Sequence, residues 1–371
     1  MKKNAGRLKW SPTGSRLRYL HIHGRRVKYR SEINMVKKDT ITLEHGSGSR
    51  LARKLLEEVL LPPLRNPLLG ELTDAACFKT AAGKLAFTTD SFVVSPLFFP
   101  GGDIGKLAVC GTVNDLAMMG AEALYLSASL IIEEDFSLVS LKKVTASLGR
   151  WAKKAGVKIV TGDTKVVEKG NADKLYVNTA GLGRIPEGFT LSPERIRPGD
   201  AVIISGTAAD HGMAILAARE KLDIAPPITS DCAPLNGLVR KMVGSGVEIK
   251  FMRDPTRGGT AAVLNELAEN KKWGIVLNEA EIPIRPRVRA ALEILGLDPL
   301  SLASEGRLLA VTSAAEAPRL IEIMKKDPAG KKSAVIGEVV SRPAGMVGLR
   351  TQSGGVRIIS WPRGEQLPRI C

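Results

Sequence analysis

Residues 88–121, TTDSFVVSPLFFPGGDIGKLAVCGTVNDLAMMGA, decide the fold. An apolar, β-prone run carries Thr88-Thr89-Asp90, a turn follows at Pro100-Gly101-Gly102, and a helical pattern starts near Gly105. That helix holds Asn114-Asp115 in its interior. Both are poor helix formers, so their position there asks for a reason outside the helix. A second strand, Val157 to Val160, delivers Thr161-Gly162-Asp163-Thr164-Lys165. Taken singly, each aspartate reads as a cap or turn residue. Taken together, three carboxylates among Gly and Thr suit a Mg²⁺ shared with the phosphates of a nucleotide. No Walker A loop is present: Gly101, Gly105 and Lys106 have the wrong spacing, and Leu107 stands where Ser or Thr is needed.

Outward from this stretch the chain alternates. Strands are expected at 85–94, 122–132, 157–162 and 175–182, with helices near 105–119 and 138–155. The turn Ile196-Arg197-Pro198-Gly199-Asp200 ends this cycle. A second one follows, with strands at 201–205, 247–252, 275–278, 307–312 and 333–340. Its helices are expected at 211–220, 234–243, 260–270, 286–295 and 316–326, and two β-prone pieces, 345–351 and 356–361, close it. Strand–helix alternation with an apolar strand face implies layered α/β or α+β domains. The expected division is a basic extension at 1–39, an N-terminal domain at 40–197, a C-terminal domain at 198–355, and a strand plus mobile tail at 356–371 that ends in Cys371.

The chain has 371 residues, 44% hydrophobic and 25% charged, as expected for a soluble globular protein with two domains. The formal charge of +16 is concentrated: residues 1–34 hold ten Lys/Arg and one acid, Glu32. A transit-peptide-like leader and a nucleic-acid arm are the functional readings of that segment. An upstream start, with Met35 as the native one, is the other. The four cysteines, Cys77, Cys110, Cys232 and Cys371, make no CxxC or zinc spacing and suit a reduced cytoplasmic protein. Cys371 stands apart as the last residue, on a tail with little to bury.

At FFPGGDIGKLAVCGTVNDLA, TGDTKVV, DPTRGG and the terminal PRIC, the chain resembles the ATP-binding superfamily of aminoimidazole ribotide synthetase, thiamine monophosphate kinase and selenophosphate synthetase. Within it, it is most similar to the HypE family of hydrogenase maturation dehydratases. The resemblance runs from about Ile41 to Cys371. It implies a two-domain fold: an ATP-binding, dimer-forming N-terminal domain, an α/β C-terminal domain and a flexible tail. It further implies that Cys371 carries a carboxamide donated by HypF and dehydrated with ATP and Mg²⁺ to a thiocyanate. HypC–HypD would accept the cyanide for the iron of a [NiFe] hydrogenase.

Carried onto this sequence, the resemblance nominates Cys371, Lys165 and Glu305 for catalysis. The nucleotide would meet Gly46, Ser47, Gly48, Asp90, Asn114, Asp115, Asp163, Thr164 and Lys165, and the metal Asp74, Asp90, Asp115 and Asp163. The chain departs from the family pattern at Ser49, where a glycine is usual, and at Thr73-Asp74, where relatives pair two aspartates. His211 reads as a phosphate contact or a packed histidine, and Arg257 as a nucleotide or tail contact or an ion pair with Asp254. A small-molecule enzyme of the same superfamily is the alternative, as is RNA binding through residues 1–34.

Overall fold

The computed structural model describes residues 18–22, 25–29, 49–55, 57–58, 63, 73–80, 83–362, 367 and 369–371. It divides into two units, Met1–Ile41 and Thr42–Cys371. In the first, β1 (Arg18–Ile22) and β2 (Arg25–Tyr29) pair as an antiparallel hairpin, where the sequence shows no sustained period.

The second unit contains two sheets. The first has five strands: β3 (Ala76–Thr80), β4 (Gly83–Phe92), β7 (Glu122–Glu133), β8 (Lys158–Val167) and β9 (Leu175–Ile185), in the order β3-β4-β9-β7-β8. Its pairings are antiparallel except β7 with β8, which are joined through a crossover helix as a parallel pair requires. Between β4 and β7 lie the two-residue strands β5 (Phe98–Phe99) and β6 (Gly102–Asp103), then helix α2 (Ile104–Met118); the short α1 (Arg50–Leu55) precedes the sheet, and α3 (Leu138–Ala155) is the crossover.

Helix α2 is the pivot of the molecule. Asp103 caps it, its Oδ1 accepting from the N–H groups of Gly105 and Lys106 at 2.9 and 3.1 Å. Nearly every residue along it is buried, as expected of a helix apolar on all sides. One flank packs on the first sheet, while Ala117 and Met118 join the core of the second domain. Lys106, in the Gly-rich stretch, is buried; its Nζ donates to Gly101 O at 2.7 Å and lies over the Trp151 ring.

The second sheet has seven strands: β10 (Asp200–Ile204), β11 (Phe251–Arg253), β12 (Gly274–Asn278), β13 (Leu309–Ser313), β14 (Ala334–Val340), β15 (Val347–Arg350) and β16 (Val356–Ile358). Their order is β11-β13-β10-β14-β12-β15-β16. Its helices are α4 (Asp210–Arg219), α5 (Asn236–Val243), α6 (Gly259–Ala268), α7 (Pro286–Leu295) and α8 (Ala317–Lys325). Along β10, Val202 and Ile204 pack with α6 residues and Ala201 and Ile203 with α5 and α8 residues. Both faces of this strand are covered, which is why it reads as a continuous apolar run. Beneath the turn at 196–200, Lys250 Nζ makes a fully buried ion pair with Asp200 at 2.7 Å.

Two local expectations change. The strand expected at 157–162 continues to Val167, β-prone residues extending it along the sheet edge. The expected strand at 247–252 is paired only at Phe251–Arg253. At Glu248, further upstream, side chains take over the bonding: its N–H donates to Glu316 Oε2 and its carbonyl accepts from Thr312 Oγ1.

Candidate active site

The end of the chain is seated in the protein. Val93 N–H donates to Cys371 O at 3.1 Å and Ser95 N–H to Arg369 O at 3.0 Å, so the tail continues the backbone pairing beyond β4. Ile370 is buried in the first-domain core. Arg369 pairs with Asp173, and Arg219 Nη2 donates to Arg369 O at 2.9 Å. The mobile tail expected from sequence is thus docked here at its terminal residues.

Around Cys371 stand the charged groups of both domains. Burial, then the Glu305 carboxyl, push its thiol up, while Arg257 opposes them. Glu305 is itself 1% exposed, and its Oε1 has no hydrogen-bond partner. Burial holds its carboxyl well above the usual carboxylate range. The main chain fixes it in place: Glu305 N–H donates to Asp231 Oδ1 at 3.1 Å, and Glu305 O accepts from Asn114 Nδ2 at 3.2 Å.

Beside this lies a carboxylate cluster. Asp115, on α2, is raised well above the carboxylate range by burial and by Asp90, Asp254 and Asp74 in turn. Asp90 is raised by burial against the pull of Arg257, and Asp74 by burial against Arg253, whose Nε donates to Asp74 Oδ1 at 2.8 Å. Asp254 is buried with Oδ2 unpartnered, and burial followed by Asp74 and Asp90 raises it well above normal. Thr88 Oγ1 lies 2.9 Å from both Asp74 O and Asp115 Oδ2. A hydroxyl has one hydrogen, so if Thr88 donates to the carbonyl, Asp115 must donate to Thr88 and carry a proton.

A family model for the N-terminal domain of AIR synthase related proteins matches residues 72–185, and one for the C-terminal domain matches 197–349. The chain is 49% identical to the carbamoyl dehydratase HypE of Rhizobium leguminosarum bv. viciae over 332 residues, 89% of this chain and 95% of the relative. The chain belongs to the HypE family. A crystal structure of a HypE–HypF complex superposes with a TM-score of 0.78 at 48% identity, covering 83% of this chain and 99% of that one. A HypE crystal structure in complex with ATP gives 0.75 at 45%, covering 90% and 100%. The fold expected from the resemblance is the one observed.

Within this HypE family chain the nominated residues separate into groups. Asp74, Asp90, Asp115, Glu305 and Cys371 come together, joined by Asp254 and Arg257. Asn114 is close by, and its amide holds the second domain: Oδ1 accepts from Leu235 N–H at 2.8 Å and Nδ2 donates to Ala233 O and Glu305 O. That is a structural reason for an asparagine inside the helix.

Asp163, Thr164 and Lys165 do not join the cluster within one chain. Asp163 is in register with Ser129, and through it with Asn178 and Ser91, whereas Asp90 aligns with Thr179 on the α2 side. Successive strand residues face opposite sides, so Asp163 and Lys165 lie on the open face of the sheet. They pair with each other at 3.0 Å, both well exposed. Gly46, Ser47 and Gly48 lie outside the described residues.

Sequence reading missed Asp231, Arg253 and the clamp formed by Arg219. None lies in a motif of the first domain, although DPTRGG, directly after Arg253, marks the loop carrying Asp254 and Arg257. A groove of about 750 Å³ opens elsewhere, lined by Glu122, Arg195, Asn236, Arg240 and Glu248, and contains none of the nominated residues.

Among the described residues no three carboxylate, histidine or cysteine groups already converge as a metal cage. Mg²⁺ keeps waters and substrate phosphates and takes only one or two carboxylates from a protein. Crowded buried carboxylates with an unpartnered Asp254 oxygen are a donor set that such a cation would relieve.

Proposed function

We propose that this chain is an ATP-dependent carbamoyl dehydratase that converts the S-carboxamide on its own Cys371 to a thiocyanate. The product supplies the cyanide ligand for the iron of a [NiFe] hydrogenase. The observation that carries this reading is the seat of Cys371, half-buried beside Glu305, Arg257 and the carboxylate cluster.

The chemistry explains each component. An amide oxygen leaves poorly as hydroxide and well as phosphate. The carboxamide oxygen attacks the γ-phosphorus of ATP, forming an O–P bond and releasing ADP. Loss of the two nitrogen protons and cleavage of the C–O bond then yield S–C≡N and inorganic phosphate. Glu305, with its raised affinity for protons, suits the base that takes a nitrogen proton. Arg257, whose charge is favoured first by Cys371 and then by Asp90, suits the phosphoryl group in transit. The tail supplies the carboxamide at high effective concentration and in one orientation.

Mg²⁺ would be held by Asp90 and Asp115 with Asp74 and Asp254 nearby, and would neutralise the phosphate charge. Gly46, Ser47 and Gly48 are proposed as backbone contacts to the phosphates. A homodimer completes the picture. The open sheet face leaves Phe87 47%, Tyr125 46% and Ile131 43% exposed, on the side that carries Asp163 and Lys165. A second copy covering this face would bring Asp163, Thr164 and Lys165 toward nucleotide or thiocarbamate. HypF as carboxamide donor and HypC–HypD as cyanide acceptor are the proposed partners, in the cytoplasm. No helix among the described residues is long and apolar enough to cross a membrane.

The test is intact mass of the C-terminal peptide after incubation with HypF, carbamoyl phosphate and ATP–Mg²⁺. The expected result is a carboxamide on Cys371 that loses one water only when ATP is present. An unmodified Cys371 with active HypF would refute the reading.

A further inference from the structure

Helix α4 touches the tail at both ends. His211, in its first turn, is fully buried, with Nε2 at 2.8 Å from Ile370 O and Nδ1 at 2.8 Å from Ser230 Oγ. Arg219, at its last residue, donates through Nη2 to Arg369 O and through Nε and Nη2 to Ser95 O. Two successive carbonyls of the tail are therefore bonded by side chains of a single rigid helix.

The tautomer of His211 follows from its neighbours. Ser230 Oγ accepts from Cys232 N–H at 3.0 Å and has one hydrogen left to give. Ile370 O can only accept, so Nε2 carries the proton of the neutral ring, and Nδ1 is left to accept the hydrogen of Ser230 Oγ. Phe99 packs edge-on against the ring at 5.6 Å, fixing its plane. Burial lowers the His211 pKa, in keeping with a neutral ring that gives one proton in one direction.

We propose that His211, tuned by Ser230 and assisted by Arg219, is a positioning latch that holds the last two peptide carbonyls and thereby sets the Cys371 sulfur against Glu305 and Arg257. The inference deepens the dehydratase reading and rests on it for its purpose. The latch touches backbone rather than the sulfur, so it grips the tail whatever Cys371 carries. It must release when Cys371 is presented to a donor enzyme, because the seated residue is half-buried and faces Glu305 and Arg257. Its contribution is then expected in dehydration, which needs the seated tail, and not in carboxamide transfer, which needs it free.

Alkylation of the full-length protein tests the latch without relying on dehydratase activity. Iodoacetamide is added to the unmodified protein, and the Cys371, Cys110 and Cys232 peptides are followed by mass. His211→Leu is expected to raise the Cys371 rate by about tenfold, as loss of one buried hydrogen bond allows. Cys110 and Cys232, both buried, should stay unreactive and so report an intact fold. His211→Gln, whose amide can donate toward Ile370 O, is expected to restore much of the protection. Arg219→Met reads the same latch from the other end of α4 if the His211→Leu protein fails to fold. An unchanged Cys371 rate in a folded His211→Leu or Arg219→Met protein would overturn the proposal. A faster rate with no dehydration in the parent protein would uphold the latch and refute the dehydratase reading instead.

Discussion

The carbonyl of Glu305 accepts a hydrogen bond from Asn114 Nδ2 at 3.2 Å, so a buried acid of the second domain is held by the central helix of the first. The same amide accepts from Leu235 N–H and donates to Ala233 O. Asn114→Ala would leave several buried backbone groups unpaired, and a loss of about 2–3 kcal/mol in unfolding free energy is expected. Because Glu305 also loses its support, dehydration should slow more than nucleotide binding. Urea unfolding combined with ATP titration separates the two effects.

Asp115 carries a cost in the free protein that nucleotide would relieve. Its carboxyl is raised by burial and by three neighbouring aspartates, so the ligand-free fold gains nothing from its charge. Asp115→Asn is expected to raise the unfolding midpoint of the free protein near neutral pH. The same change should weaken ATP–Mg²⁺ binding by at least about tenfold, as removal of a charged contact does. Thermal unfolding with and without ATP–Mg²⁺ measures both directions. A midpoint lowered without ligand would contradict the crowding described here.

Asp210 sets a pH dependence with a defined sign. Burial first, and then Asp231, raise its carboxyl from 3.8 to about 6. A raised folded value means the folded state binds the proton more tightly. Its contribution is therefore complete below pH 3.8 and is lost as pH rises through about 6. The difference in stability between the parent and Asp210→Asn should change by about 3 kcal/mol across that window, the variant gaining as pH rises. Denaturant unfolding at several pH values checks it.

Gly259 closes DPTRGG with φ +60°, and a Cβ there would lie 2.6 Å from Leu300 O and Leu302 O. Backbone carbonyls cannot swing away as a flexible side chain can. Gly259→Ala should cost about 2 kcal/mol or more and displace the loop that carries Asp254 and Arg257. Equilibrium unfolding and ATP affinity report the two consequences.

Much of the site was legible because its chemistry is local in sequence. Asp90 in a strand and Asp115 inside a helix each break a propensity rule, and such breaks mark sites, while Asp254 lies in the Gly-rich DPTRGG stretch. The β-strand alternation of the second domain was equally readable from its apolar runs.

What could not be read was long-range. His211 and Ile370 are 159 positions apart, and nothing in either neighbourhood announces the other. The strand expected at 157–162 stops short of the observed one because Gly162 and Asp163 are turn formers. Pairing with β7 keeps both in a strand, and a Cβ on Gly162 would meet Ala128 O. Asn114 also holds the backbone of residues more than a hundred positions away, at Ala233, Leu235 and Glu305.

The most direct measurement follows the carboxamide oxygen. Cys371 is loaded with an ¹⁸O-labelled carboxamide and one turnover is run with unlabelled ATP in unlabelled water. Dehydration through a phosphorylated amide oxygen predicts that the label appears in inorganic phosphate as the thiocyanate forms. Label released into water, with unlabelled phosphate, would contradict it.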